Sequence, residues 1–298
     1  MSAERKKKWI LVDGHNLAFR CFYGIPTMAR ADGLHTNAIF GYIRALMRLE
    51  SHHKPDAICV FFDTDGSAVR REVLSTYKAN RKKMPNELAT QLDWMKKASL
   101  ALGHYVEASS GIEADDLIGS FARKIAENGE LAYIASSDKD FVQCLSESIF
   151  QLLPPTSADR SSEWRLLDKS GVYAKFGVRQ HQIIDYLSLT GDSADNIDGL
   201  PGVGPKTAAK WLSHFDSIES IYDNLSEIHP ERFQKILLEG REMLLRNRRL
   251  IRLQDIADFK LPCAEIRPDF REIENLLGEL ELHSILRDLR AANQQTLL

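Results

Sequence analysis

Gly111-Ile112-Glu113-Ala114-Asp115-Asp116 sets three carboxylates within four residues. They head a run in which Leu117, Ile118, Phe121, Ala122 and Ile125 recur at helical spacing, and Gly129 supplies a stop. One or two acids at a helix start offset the macrodipole. Three repel one another unless a cation or a proton intervenes. The residues before this stretch, 104–108, read as a short strand, so the unit is strand, acidic turn, helix. The same ending recurs along the chain. Residues 9–12 are continuously apolar and deliver Asp13 into a loop, Asp13-Gly14-His15-Asn16. Residues 57–62 end in Asp63, and residues 131–135 lead into Ser136-Ser137-Asp138-Lys139-Asp140. Residues 149–153 form a fifth strand, while 38–50 and 85–102 carry helical spacing.

Strands alternating with helices predict an α/β fold: a mainly parallel central sheet with helices on both faces. In such sheets ligands bind beyond the carboxyl ends of the strands. Asp13, Asp63, Glu113, Asp115, Asp116, Asp138 and Asp140 are therefore expected to meet at one rim. Any one of them alone is better read as a helix cap or a solvent-facing acid; that reading weakens with each further strand that ends the same way. After a polar, proline-bearing surface loop at 154–162 the pattern becomes helical, through 169–176, 180–190, 207–214, 218–225, a longer 232–253 and a leucine-rich 271–292. The expected division is an α/β core over 1–190 and a helical region over 191–298.

The net charge of −3 excludes global basicity as a sign of a nucleic-acid partner, so local charge decides. Cys21, Cys59, Cys144 and Cys263 are scattered without a CxxC pair, which argues against zinc or a disulfide framework and fits a reducing cytoplasm. No apolar run is long enough for a bilayer, and 9–12 is too short for a signal peptide.

Three groups carry chemistry. An acid set without histidine or cysteine partners suits hard cations such as Mg2+ or Mn2+. Two such ions roughly 4 Å apart can activate water and stabilise a leaving phosphate oxygen. A glycosidase-type pair needs only two acids. The second group runs from Thr190 to Leu212. Asp192 and Asp195 add two acids, and Gly202-Val203-Gly204-Pro205-Lys206-Thr207 resembles a helix-hairpin-helix turn. Glycines there let backbone N–H groups approach phosphate, without reading sequence. The third, 67–83, sets Arg70, Arg71, Lys78, Arg81, Lys82 and Lys83 against Glu72 alone, with Tyr77 placed to stack on a base. Arg241, Arg246, Arg248, Arg249 and Arg252 form a second basic cluster, read equally as a duplex-tracking face or a solvated one.

Taken in order, these motifs resemble the flap endonuclease family. The closest resemblance is to the bacterial type, found as the 5′-nuclease domain of DNA polymerase I and as stand-alone relatives. The carrying residues are Asp13 to Asn16, Asp63, Tyr77-Lys-Ala-Asn-Arg81, Gly111 to Asp116, Ser137-Asp-Lys-Asp140 and Gly191-Asp-Ser-Ala-Asp-Asn196 with the glycines that follow. The resemblance implies a PIN-like nuclease core, a helical arch over about residues 64–86, and hydrolysis of DNA at 5′ ends and 5′ flaps in replication and repair. It implies one ion on Asp13, Asp63, Glu113, Asp115 and Asp116, and a second on Asp138, Asp140, Asp192 and Asp195. Lys78 and Arg81 would contact the scissile phosphate, and Tyr77 joins them in the catalytic set. Arg70, Arg71, Lys82 and Lys83 would grip the flap. Gly202, Gly204, Lys206 and Thr207 would hold the duplex, with a K+ ion at that turn. Asp198 departs from the proline usual there, and an acid at that place is expected to weaken DNA binding or alter the ion site. The expected partner is branched or 5′-flap DNA, with the protein a monomer in the bacterial cytoplasm or nucleoid and away from membranes. The same pattern serves a stand-alone protein or a domain of a polymerase. A non-catalytic binder of branched DNA would gain nothing from concentrated acids, and a phosphatase of small substrates would not need the hairpin.

Overall fold

In the structure, a computed structural model, residues 5–64, 68–156 and 163–296 are described. Parts of three expectations fall outside the described residues: 1–4 of the basic N-terminal stretch, 65–67 of the basic segment and 157–162 of the polar loop.

The first half runs β1 (Lys8–Asp13), α1 (Gly14–Gly24), α2 (Asn37–His53), β2 (Ala57–Phe61), α3 (Ala68–Val73), α4 (Asn86–Ala101), β3 (Tyr105–Glu107), α5 (Ala114–Glu127), β4 (Leu131–Ala135), β5 (Ile149–Leu153) and β6 (Arg165–Leu167). The sheet order is β3-β2-β1-β4-β5-β6. All neighbours pair in parallel except β6, which lies antiparallel along β5. Asp13 at the end of β1 faces Phe61 across the ladder, and Val12 faces Ala135, so the acid-bearing strand ends come out level.

Both sheet faces are covered, which is why residues 9–12 of β1 and the whole of β2 are apolar. Ile10 and Val12 point to a core shared with Leu17, Ile39, Tyr42, Ile43, Leu46 and Met95. Trp9, Leu11, Cys59 and Phe61 point the other way, onto Leu117, Ile118, Phe121 and Ile125 of α5. Phe121 meets Phe61 edge-on at 4.9 Å and stacks on Phe259 at 4.3 Å.

The second half holds α6 (Gly171–Phe176), α7 (Ile183–Thr190), a two-residue hairpin of β7 (Gly191–Asp192) and β8 (Ile197–Asp198), then α8 (Pro205–Phe215), α9 (Ile218–Asp223), α10 (Arg232–Glu239), α11 (Arg241–Ile251), α12 (Phe270–Glu279) and α13 (His283–Thr296). Helices α7 to α11 pack around their own core, which includes Leu187, Leu212, Ile221 and Leu237. The last two helices return to the sheet, burying Ile273, Leu276, Leu277 and Ile285 in the cluster beneath α2 and α4.

Three readings change. Asp13 to Asn16 is not a loop: α1 begins at Gly14, with Asp13 as its N-cap accepting from the Asn16 N–H. The expected long helix over 232–253 is two, broken at Gly240, where a Cβ would meet Leu200 Cδ2 at 2.3 Å. Among its described residues the basic segment is helical only over α3; residues 75–80 continue as turns that close onto the acids.

Candidate active site

The four adjacent strands β3, β2, β1 and β4 each hand an acid to the same edge. Asp13 is buried and accepts from Ser136 Oγ at 3.1 Å as well as from Asn16 N. Asp63 is more exposed, and its Oδ1 accepts from the Ala114 N–H at 2.7 Å, which fixes the start of α5. Its own N–H donates to His15 Nδ1 at 3.0 Å. Asp138 caps the 3-10 turn Lys139–Cys144 by accepting from Asp140 N. Asp140, Asp192 and Asp195, all buried, present carboxylate oxygens within 4.8 Å of one another.

Burial and mutual repulsion show in the proton affinities. Burial raises Asp13 to about 7, helped by Asp138 and Asp63. Burial and then neighbouring acids hold Asp115 and Asp140 well above the ordinary carboxylate range, and raise Asp138 as well. Two buried carboxylate oxygens, Glu113 Oε1 and Asp140 Oδ1, have no hydrogen-bond partner. Crowded, partly orphaned oxygen donors with no soft ligand among them fit divalent cations of the hard type.

Protein cations meet part of the charge. Lys78 Nζ lies 2.9 Å from Glu113 Oε2, Arg81 2.6 Å from Asp195 Oδ1, and Lys139 2.9 Å from Asp192 Oδ1. Burial works against the Lys78 ammonium, but Asp115, Asp195 and Glu113 more than offset it, so its pKa is raised. Lys78 sits at φ 56°, a left-handed conformation unusual for a side chain of its length. Hydrogen bonds hold it there: Lys78 N donates to Asp195 O, Asn80 Nδ2 to Ser193 O and Asn196 Nδ2 to Thr76 O. The basic turn is thus zipped to the loop that carries Asp192 and Asp195.

Three residues expected at the site meet buried partners instead of solvent. Tyr77, expected to stack on a base, is buried, and its hydroxyl donates to Asp195 Oδ2 at 3.0 Å. Burial, Asp195 and Glu113 keep that phenol protonated. Arg70, expected to grip the flap, is 3% exposed and turned inward onto Asp116 and Glu113. Asp116, expected to hold an ion, has both oxygens engaged: Oδ2 accepts from Arg70 Nη1 at 2.8 Å, and Oδ1 from Arg70 Nη2 at 2.7 Å and Gln254 N at 2.8 Å. Arg71, Lys82 and Lys83 remain exposed.

The hairpin lies in the helical half of the chain, just before α8. Gly202 adopts φ +75°, and a Cβ on Gly204 would meet nothing within 4 Å. Gly204 is the N-cap of α8, with Pro205 next and Lys206 exposed. Asp198 is exposed on β8, its carbonyl accepting from Asn247 Nδ2 at 2.7 Å. In the second basic cluster Arg248 is committed to Asp185 and Glu219.

Sequence reasoning missed the polar residues that brace the acids. Asn16 Oδ1 accepts from Ser137, and Gln151 Nε2 donates to the carbonyls of Ser136 and Asp138 at 2.9 and 2.6 Å. A glutamine at a fully buried position of an apolar strand was the available signal.

A parallel sheet whose strand ends gather carboxylates beneath a basic turn, with a glycine hairpin on a helical lobe beside it, defines a metal-dependent nuclease. Two family models cover nearly the whole chain: the 5′-3′ exonuclease N-terminal resolvase-like domain over residues 8–177, and the 5′-3′ exonuclease C-terminal SAM fold over 178–291. The chain belongs to the 5′-3′ exonuclease family. It is 32% identical to a 5′-3′ exonuclease of Aquifex aeolicus, over 98% of this chain and 99% of that protein. It is 34% identical to DNA polymerase I of Mycobacterium tuberculosis over 95% of this chain, spanning 31% of that much longer relative. Among solved structures, the flap endonuclease of bacteriophage T5, in a pseudo-enzyme-product complex with DNA and metal ions, matches with a TM-score of 0.65 at 22% identity, covering 96% of this chain and 98% of that one. The catalytic core of Rad2 with DNA substrate matches at 0.61 and 15% identity, over 96% and 91% of the two chains. These two likenesses are of fold.

Proposed function

We propose that this chain hydrolyses DNA phosphodiesters at 5′ flaps and branched junctions, with two divalent ions, Mg2+ or Mn2+, at the acid rim. The observation that carries this is the convergence of Asp140, Asp192 and Asp195 within 4.8 Å, with an orphaned Asp140 oxygen. One ion would rest on Asp140, Asp192 and Asp195 with Asp138, the other on Asp13, Asp63, Glu113 and Asp115. When bound, such ions supply electrophilic activation of the phosphate and of a water.

The chain's own residues do the rest. Lys78 and Arg81, paired with Glu113 and Asp195, are cations placed to neutralise charge that builds on phosphate oxygens. Tyr77 holds the Asp195 side of the rim in register. Arg71, Lys82 and Lys83 are solvent-facing charges for a single strand. Gly202, Gly204, Lys206 and Thr207 offer backbone N–H groups and a positive charge to a duplex phosphate, with K+ at the turn. Asp198 sits near that contact and reduces its affinity. The working form is a monomer acting on DNA of the bacterial cytoplasm or nucleoid.

A 5′-labelled flap substrate with Mg2+, beside EDTA and Asp138→Asn controls, tests the reading. Cleavage near the junction should need both the metal and the intact acid. Equal cutting by Asp138→Asn would overturn the metal assignment, and equal cutting of unbranched duplex interiors would overturn the substrate.

A further inference from the structure

Arg70 and Asp116 form a buried fork that joins three parts of the chain. Arg70 Nε donates to Leu250 O at 2.9 Å and Nη2 to Arg252 O at 3.2 Å, both at the C-terminal end of α11. The same guanidinium gives Nη1 and Nη2 to the two Asp116 oxygens and Nη1 to Glu113 Oε2 at 3.1 Å. Glu113 Oε2 is also the oxygen that Lys78 contacts, so Oε1 is left as the unpartnered atom. Only a planar fork of N–H donors can satisfy a bidentate carboxylate, a second carboxylate and two carbonyls at once.

We propose that Arg70 is a positioning residue of the metal centre and that Asp116 is its anchor, not an ion ligand. The pair pins Glu113 with one oxygen turned free, and ties that ligand to the end of α11, so the helical lobe and the rim hold a common geometry. The inference rests on the acids binding divalent ions, as proposed above.

The test is Mn2+ binding itself, followed by calorimetry and by the electron paramagnetic signal of free Mn2+, alongside binding of duplex DNA without metal. Arg70→Gln should weaken Mn2+ binding by about tenfold or more, the usual size for loss of a ligand's supporting partner. Duplex affinity should stay within about twofold, because the guanidinium does not reach solvent. Arg70→Lys should recover part of the loss. Asp116→Asn should bind as many ions as wild type, and the double variant should be no worse than the worse single one, since both break one fork. If Arg70→Gln fails to fold, as read by circular dichroism, Arg70→Lys and Asp116→Asn carry the same readouts. The proposal is overturned by wild-type Mn2+ binding in Arg70→Gln with weakened duplex affinity, by additive losses in the double variant, or by one fewer ion in Asp116→Asn. Wild-type protein that binds no Mn2+ would instead end the metal reading itself.

Discussion

At Lys78, one residue serves two opposing demands. Its backbone is held at φ 56° by the loop of Asp195, and its ammonium lies 2.9 Å from Glu113. A lysine in solution would not be held in that conformation without partners, and the strain is retained where a charge must be aimed. On the proposed function, Lys78 serves the reaction more than attachment to DNA. Lys78→Ala should therefore slow single-turnover flap cleavage by about 100-fold or more, the scale of losing one preorganised charge contact. Binding should change by only about threefold, since many phosphate contacts share the affinity. Single-turnover rates beside filter-binding titrations decide it; equal losses in both would assign Lys78 to binding. The sequence showed that Lys78 was basic and near an acid strand. It did not show that Tyr77 and Arg70, in the same run, turn inward, because a charge run carries no record of which side chains find buried partners.

Among the elements, the hairpin before α8 separates conformational need from room for a ligand. Gly202 needs its positive φ, whereas Gly204 has ordinary extended backbone and open space where a Cβ would stand. Gly204→Ala should cost about 1 kcal/mol or less of stability, from the weaker N-cap alone. It should still weaken duplex binding measurably, by holding phosphate away from the α8 N-terminus. Melting temperature and duplex affinity at several salt concentrations check this; unchanged affinity would remove the hairpin from the DNA interface. The helix α5 was fully legible in advance, because its apolar period and glycine stop are local. The break at Gly240 was not, since it depends on Leu200 from another segment occupying the bend.

For the whole molecule, the gathered acids cost stability that cations return. Carboxylates whose folded pKa is raised contribute stability that is complete below the unfolded value near 3.8 and is lost as pH rises; for Asp13 the loss runs to about 7. Asp115, Asp138 and Asp140 are raised in the same direction. Metal-free protein should therefore lose the Asp13 contribution between about pH 4 and pH 7, and the other three are lost in the same direction as pH rises. A ligand that binds only the folded state and only ionised acids raises the melting point more where they are ionised. Calorimetry should show Mn2+ raising Tm more at pH 8 than at pH 5, with EDTA abolishing the difference. A shift at pH 5 as large as that at pH 8 would contradict the raised affinities.

What the sequence alone determined is what short-range physics writes into it: buried strands ending in acids, helices with their stops, and a glycine turn before a helix. These follow from periodicity and local backbone chemistry, and they suffice for the parallel sheet and for its acidic edge. Only the tertiary structure decided how the charges pair. Asp116 is satisfied by Arg70 and Gln254, Lys78 and Arg81 lean on Glu113 and Asp195, and the last helices return to the sheet. Those outcomes depend on which distant segments come within a few ångströms once the chain is compact, and on burial strengthening each charge contact there.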